Sequence, residues 1–121
     1  MPMMKNALSI LVVDDEPDIL EMARIVLEGA GYRFRGAANG REALDSIDDE
    51  TSFLLTDISM PEMDGRELIR NLNENKPSLK ICAMSGLANE DELRKTGLRF
   101  EKFLKKPFDG NRLLAVIESE L

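Results

Sequence analysis

The stretch Leu8-Ser9-Ile10-Leu11-Val12-Val13-Asp14-Asp15-Glu16-Pro17 carries more information about the fold than any other in this chain. An apolar run of strand length ends on two adjacent carboxylates. A proline follows, suited to the first turn of a helix, where its missing N–H costs nothing. From there Ile19, Met22, Ala23, Val26 and Leu27 recur at helical spacing, and Gly29 and Gly31 offer the stop. Strand, acidic turn and amphipathic helix in that order open a βαβ unit.

The alternation continues to the end of the chain. Short runs at residues 33–37, 53–56, 80–84 and 100–104 read as four further strands, and their alternation with amphipathic stretches is the signature of a parallel sheet covered on both faces. Between them, helices are expected at residues 40–47, with Ala43, Leu44 and Ile47 inward, and at 66–72, with Leu68, Ile69 and Leu72 inward. A shorter one is expected at 89–95, anchored by Leu93 and Leu98. Asp109 can N-cap a last helix whose Leu113, Leu114, Ile117 and Leu121 form one face. The expectation is one (βα)5 domain over residues 1–121, with residues 1–6 a frayed start and no linker, repeat or low-complexity segment.

A chain of 121 residues suffices for one domain and is too short for two. A domain of this size buries roughly two-thirds of its unfolded surface and needs no staple. Sixteen Lys and Arg against 23 Asp and Glu leave a net charge of -7, which argues against nucleic acid as a partner, because phosphate neutralisation supplies most such affinity. No apolar stretch reaches the ~20 residues of a membrane span. Met1-Pro2-Met3-Met4-Lys5 lacks the apolar region and cleavage site of a signal peptide, so the expected location is cytoplasmic, with no membrane partner. Cys82, the only cysteine, lies inside an apolar run and reads as a small buried hydrophobe.

Function concentrates where the strands end. Residues 8–13 run into Asp14-Asp15, residues 53–56 into Asp57, residues 103–104 into Lys105-Lys106-Pro107, and residues 79–84 into Ser85. If these strands are neighbours, three carboxylates, an ammonium and a hydroxyl gather at the carboxyl edge of the sheet, where ligands bind in open α/β folds. Three converging carboxylates repel one another at neutral pH and call for a proton or a cation. An all-oxygen site with room for water suits Mg²⁺.

The order and spacing of Asp14-Asp15, Asp57, Met60-Pro61-Glu62-Met63-Asp64-Gly65, Ser85-Gly86 and Lys106-Pro107-Phe108 resemble the response-regulator receiver domain, the phosphoacceptor module of two-component signalling. The match runs from Ile10 to the last helix. It implies a flavodoxin-like sheet of strand order 2-1-3-4-5. It also implies Mg²⁺, with Mn²⁺ as an alternative, held by Asp15, Asp57 and the backbone carbonyl of Ser59, with Asp14 acting through water. Asp57 would take a phosphoryl group from the phosphohistidine of a histidine kinase or phosphotransfer protein. Lys106 would contact that group from beside Pro107, whose peptide bond is commonly cis in the family, while Lys105, on the opposite face of the strand, stays at the surface. Ser85 would donate its hydroxyl to the phosphoryl oxygens, and Phe103 matches the aromatic switch position.

Pro61 and Gly65 are expected to shape the loop after Asp57, Gly65 by taking a positive φ. The resemblance further implies a switched surface for a downstream protein target and leaves room for a homodimer through the fourth helix, fifth strand and fifth helix. Such a domain catalyses its own phosphotransfer and autodephosphorylation and is not a turnover enzyme.

Other readings fit less well. Phosphatases that pass through an aspartyl phosphate place a second Asp two residues after the nucleophile, where this chain has Ser59. A flavin- or nucleotide-binding module wants a Gly-rich phosphate loop after the first strand, and Asp14-Asp15-Glu16-Pro17 would repel phosphate. A receiver-like docking module independent of phosphorylation is disfavoured by the intact set Asp14, Asp15, Asp57, Ser85 and Lys106.

Overall fold

The computed structural model describes residues 8–60 and 63–120. Strands and helices alternate as β1 (Ser9–Val13), α1 (Pro17–Gly29), β2 (Arg33–Ala37), α2 (Gly40–Ser46), β3 (Thr51–Asp57), α3 (Gly65–Asn75), β4 (Lys80–Ser85), α4 (Glu90–Arg94), β5 (Lys102–Lys105) and α5 (Gly110–Glu118). All strands run parallel in the order β2-β1-β3-β4-β5, the flavodoxin-like order expected. From β1 the chain turns first to one side, to β2, and then to the other, to β3. The crevice between the carboxyl ends of β1 and β3 is therefore the topological switch point of the sheet.

Strand periodicity divides the core into two layers. Leu11, Val13, Leu54, Ile81 and Ala83 point to one face, where they meet Ala43 of α2, Leu68, Ile69 and Leu72 of α3 and Leu93 of α4. Ile10, Val12, Phe53, Leu55, Cys82, Met84 and Leu104 point to the other and meet Ala23 and Leu27 of α1 and Leu113 and Ile117 of α5. Every residue of β1 is buried. Burial pushes the Cys82 thiol up to about 12, in keeping with a packing role.

The helix termini follow local chemistry. Pro17 begins α1, and Gly31 takes a φ of 95° just beyond its end. Asn39, Asp64, Asn89 and Asp109 cap α2, α3, α4 and α5, each accepting a backbone N–H of the first turn.

Several elements differ from the pattern-based expectation. β5 begins at Lys102, because Phe100 belongs to the preceding loop: the Arg94 guanidinium lies 4.2 Å from its ring centre and Arg94 Nη1 donates to its carbonyl at 3.0 Å. α3 extends beyond its apolar stripe to Asn75, whereas α4 has only five residues. Ile19, in the first turn of α1, lines a shallow groove with Leu87, Pro107 and Phe108. Leu20 takes a place against the core instead. Leu121 and Pro61 lie outside the described residues, as do residues 1–6.

Candidate functional site

The carboxyl ends of β1, β3, β4 and β5 deliver Asp14, Asp57, Ser85 and Lys106 to one place. Asp14 and Asp57 are buried, Asp15 is exposed, and each of the three has a carboxylate oxygen within 4.8 Å of the other two. The Lys106 ammonium stands among them, 2.7 Å from Asp14 Oδ2 and 3.3 Å from Asp57 Oδ2. Glu16 Oε2 is a third and looser neighbour at 3.7 Å. Lys105 is exposed, so the alternation that separates the two lysines resolves as expected. The Lys106–Pro107 peptide bond is cis.

The electrostatics follow from burial. Burial raises the Asp14 carboxyl above its ordinary value; Lys106 and the Glu16 N–H, which donates to Asp14 Oδ1 at 2.9 Å, reverse only part of that rise. Burial works against the Lys106 ammonium as well, but Asp14 and Asp57 outweigh it and hold the pKa above the usual lysine value.

The ammonium meets Asp14 Oδ2 off the hydrogen-bonding direction, and this buried oxygen has no hydrogen-bond partner among the described residues. A buried carboxylate oxygen left in that state, beside two further carboxylates, fits a hard divalent cation that takes oxygen ligands. Asp14, Asp15 and Asp57 are thus suited to a Mg²⁺ site.

The loops at this edge are held by short-range bonds. Ser59 N–H donates to Asp57 Oδ1 at 3.3 Å, which turns the chain directly after the strand. Ser85 Oγ accepts the N–H groups of Leu87 and Ala88 at 3.1 and 2.7 Å, and its carbonyl accepts Lys106 N–H at 2.9 Å. Both acceptor positions of the hydroxyl face its own loop, which leaves its single proton for another acceptor. Phe103 is half-buried and packs on the layer formed with α2, α3 and α4.

Gly65 corrects the sequence-based expectation. Positive φ values among the described residues occur at Gly31 and Gly97; Gly65 is needed for close approach. A Cβ there would lie 2.0 Å from the Asp57 carbonyl oxygen and 2.8 Å from the Ile58 Cα, with Gly65 N–H already donating to Ile58 O at 2.9 Å. The start of α3 is pressed against the end of β3 at the residue that carries the candidate nucleophile.

Glu16 was not among the expected site residues, because an acid opening a helix already has a reason to be there. Its approach to Lys106 depends on how the β1–α1 turn folds over β5, which local sequence does not encode.

The family profile described as the response regulator receiver domain matches residues 10–118. This chain belongs to the response regulator receiver domain family. The receiver is 40% identical over 117 residues to the response regulator receiver protein CpdR of Brucella abortus, covering 93% of this chain and 95% of that protein. A CheY-like receiver domain protein of Methanospirillum hungatei superposes with a TM-score of 0.85 at 30% identity, over 93% of this chain and 91% of that one. The chemotaxis response regulator CheY4 of Vibrio cholerae gives a TM-score of 0.85 at 26% identity, over 93% and 98%.

As a receiver domain, the chain is a component of two-component signalling, regulatory rather than a turnover enzyme for small molecules. Receiver domains bind Mg²⁺ at an acidic pocket and interact with histidine kinases and downstream effectors. No helix among the described residues is long and apolar enough to cross a membrane.

Proposed function

We propose that this receiver, with residues 1–121 as one domain, accepts a phosphoryl group on Asp57 from the phosphohistidine of a histidine kinase or phosphotransfer protein. One observation carries the reading. A buried carboxylate at the end of β3 shares its ammonium partner, at 3.3 Å, with a second buried carboxylate at 2.7 Å, at the switch point of the sheet.

An Asp57 carboxylate oxygen attacks phosphorus, the P–N bond to the donor imidazole breaks, and the imidazole nitrogen keeps the electron pair and takes up a proton. Asp15, Asp57 and the Ser59 carbonyl, with Asp14 through water, would hold Mg²⁺, which would supply neutralisation of the negative charge that otherwise opposes the attack. Lys106 moves from Asp14 toward the new phosphoryl oxygens as a charge-assisted donor. The Ser85 hydroxyl proton is free for the same group, and drawing Ser85 toward it strains the bonds to Leu87 and Ala88 N–H. Loss of those bonds reshapes the loop before α4, and Phe103 reports the change by deeper burial. The output is a protein-binding surface on α4, β5 and α5, open to a downstream target or to a second copy, with no part for nucleic acid or membrane. Hydrolysis of the acyl phosphate resets the domain in the cytoplasm.

The test is exposure to acetyl phosphate or beryllofluoride, with and without Mg²⁺ and with Mn²⁺ as a substitute, read by intact mass and NMR. A metal-dependent adduct, absent in Asp57→Asn, is expected. A wild type inert to these reagents and to a phosphorylated kinase would make the domain a docking module instead.

A further inference from the structure

Thr56, one residue before Asp57, is fully buried, and nothing in the site described above uses its hydroxyl. In the sheet it lies between Val13 of β1 and Ala83 of β4, and both neighbours belong to the apolar layer formed with α2, α3 and α4. A hydroxyl in such surroundings is costly unless it finds a partner. Thr56 Oγ donates to the backbone carbonyl oxygen of Asp57 at 2.9 Å.

That carbonyl stands where the ladder between β3 and β1 has run out. β1 stops at Val13, and the next N–H, that of Asp14, donates to Ala37 of β2 at 3.0 Å. The same carbonyl oxygen is the atom that Gly65 admits by lacking a Cβ. At the other end of its peptide, Ile58 N–H donates to Met84 O of β4 at 3.0 Å. The peptide joining Asp57 to Ile58 is therefore held twice, by a side chain at its oxygen and by a strand at its nitrogen. The next peptide builds on it: Ile58 O accepts Gly65 N–H at 2.9 Å, and Ser59 N–H returns to Asp57 Oδ1 at 3.3 Å. A contiguous set of bonds thus leads from the Thr56 hydroxyl through residues 57 and 58 to Ser59.

We propose that Thr56 is a positioning residue for the phosphoacceptor site: its hydroxyl fixes the Asp57 carbonyl, and with it the angle at which the chain leaves β3, so that the Asp57 carboxylate and the Ser59 carbonyl serve one ion. The inference rests on the reading of Asp57 and Ser59 as ligands of Mg²⁺. Thr56 touches neither metal nor phosphoryl group and acts only through the backbone of residues 57–59. Valine has nearly the same shape but no donor, which leaves the peptide held at its nitrogen alone. Serine keeps the donor and loses a methyl group. Its hydroxyl, buried in the same place, has the same need of the carbonyl.

The experiment is a Mg²⁺ titration of the full chain followed by NMR at the Asp57, Ile58 and Ser59 amides, with thermal unfolding in parallel, for the wild type, Thr56→Val and Thr56→Ser. Both variants should lower the thermal midpoint, valine by giving up a buried hydrogen bond and serine by leaving a methyl-sized gap between Val13 and Ala83. Metal binding separates them. Thr56→Val is expected to raise the Mg²⁺ dissociation constant about threefold, less than for groups bonded directly to metal-ligand side chains, because Thr56 bonds only the backbone of one ligand. It should also shift the metal-free Ile58 and Ser59 amides. Thr56→Ser should keep the wild-type dissociation constant and amide positions despite its lower midpoint. Wild-type Mg²⁺ affinity in Thr56→Val overturns the inference, and so does an equal loss in both variants, which would trace the effect to packing; either result leaves the metal reading standing. A wild type in which Mg²⁺ moves neither the Asp57 nor the Ser59 amide overturns the metal reading, and this inference with it.

Discussion

Asp14 is the residue whose environment opposes its charge most clearly. Burial raises its carboxyl pKa even with the Lys106 ammonium 2.7 Å away, so the ionised form is less comfortable in the folded chain than in the unfolded one. The folded state binds that proton more tightly, and metal-free protein gains stability as pH falls from neutral through the raised Asp14 value. Asp14→Asn should accordingly increase the metal-free thermal midpoint by a few degrees, and that advantage should shrink when saturating Mg²⁺ is added to both proteins. A lower midpoint for the variant without metal would show that the pair with Lys106 outweighs burial. Lys106 presents the complementary case, since its ammonium occupies the space among the carboxylates that a divalent ion would share. Lys106→Met is expected to tighten Mg²⁺ binding about three- to tenfold by removing a positive charge from beside Asp57. Isothermal titration calorimetry would measure this, and unchanged affinity would mean that the ammonium already swings clear of the metal.

At the scale of elements, the segment between α4 and β5 is unusually well tied. Asn73 of α3 donates to the Arg99 carbonyl at 2.9 Å and accepts its N–H at 2.8 Å, and Arg99 Nη2 donates to Pro77 O at 2.8 Å. Glu101 exchanges two bonds with Ile81 of β4, one through its backbone N–H and one through its carboxylate, both at 2.8 Å. Together with Arg94 on Phe100, these fix the C-terminal end of α4, while the approach to its N-terminus is held by the Ser85 hydroxyl and the Asn89 cap. Asn73→Ala should cost about 1 kcal/mol in urea unfolding and raise amide exchange at Arg99. Unaltered exchange there would mean that Pro77 and Glu101 hold the segment by themselves.

This knot also marks where sequence reading gives out. The strands, their order and the cluster of Asp14, Asp57, Ser85 and Lys106 were legible because apolar runs end on charged residues at family spacing. The start of β5 was not, because a buried aromatic in an apolar run reads as strand whether its carbonyl pairs with a strand or with an arginine. The reason for Gly65 was equally hidden, since a glycine looks the same in sequence whether a turn needs its φ or a neighbouring carbonyl needs its empty space.

Across the whole molecule, the layer built from α1 and α5 is closed at its margin by Tyr32, whose hydroxyl donates to Glu118 Oε2 at 2.8 Å and ties the turn after α1 to the end of α5. Burial first, then Glu118, pushes the phenol up to about 12. Above pH 10 the unfolded chain releases this proton before the folded one does, so stability should fall between pH 10 and 12, by about 2 kcal/mol for this group. The buried Cys82 adds to the same loss. In urea titrations over that range, Tyr32→Phe should flatten the pH slope by close to one proton; an unchanged slope would assign the alkaline loss to Cys82.

An open sheet also leaves two margins where a foreign strand could add, along β2 and along β5. Arg33 and Arg35 are exposed on the first, and Lys105 is exposed on the second. Cations at such margins discourage edge-to-edge polymerisation, because stacking a second copy would set like charges side by side. A chain with Arg33 and Arg35 both replaced by valine would lose their pairing with Glu50 and Asp48 and present an uncharged β2 edge, so light scattering is expected to show it self-associating where the wild type does not.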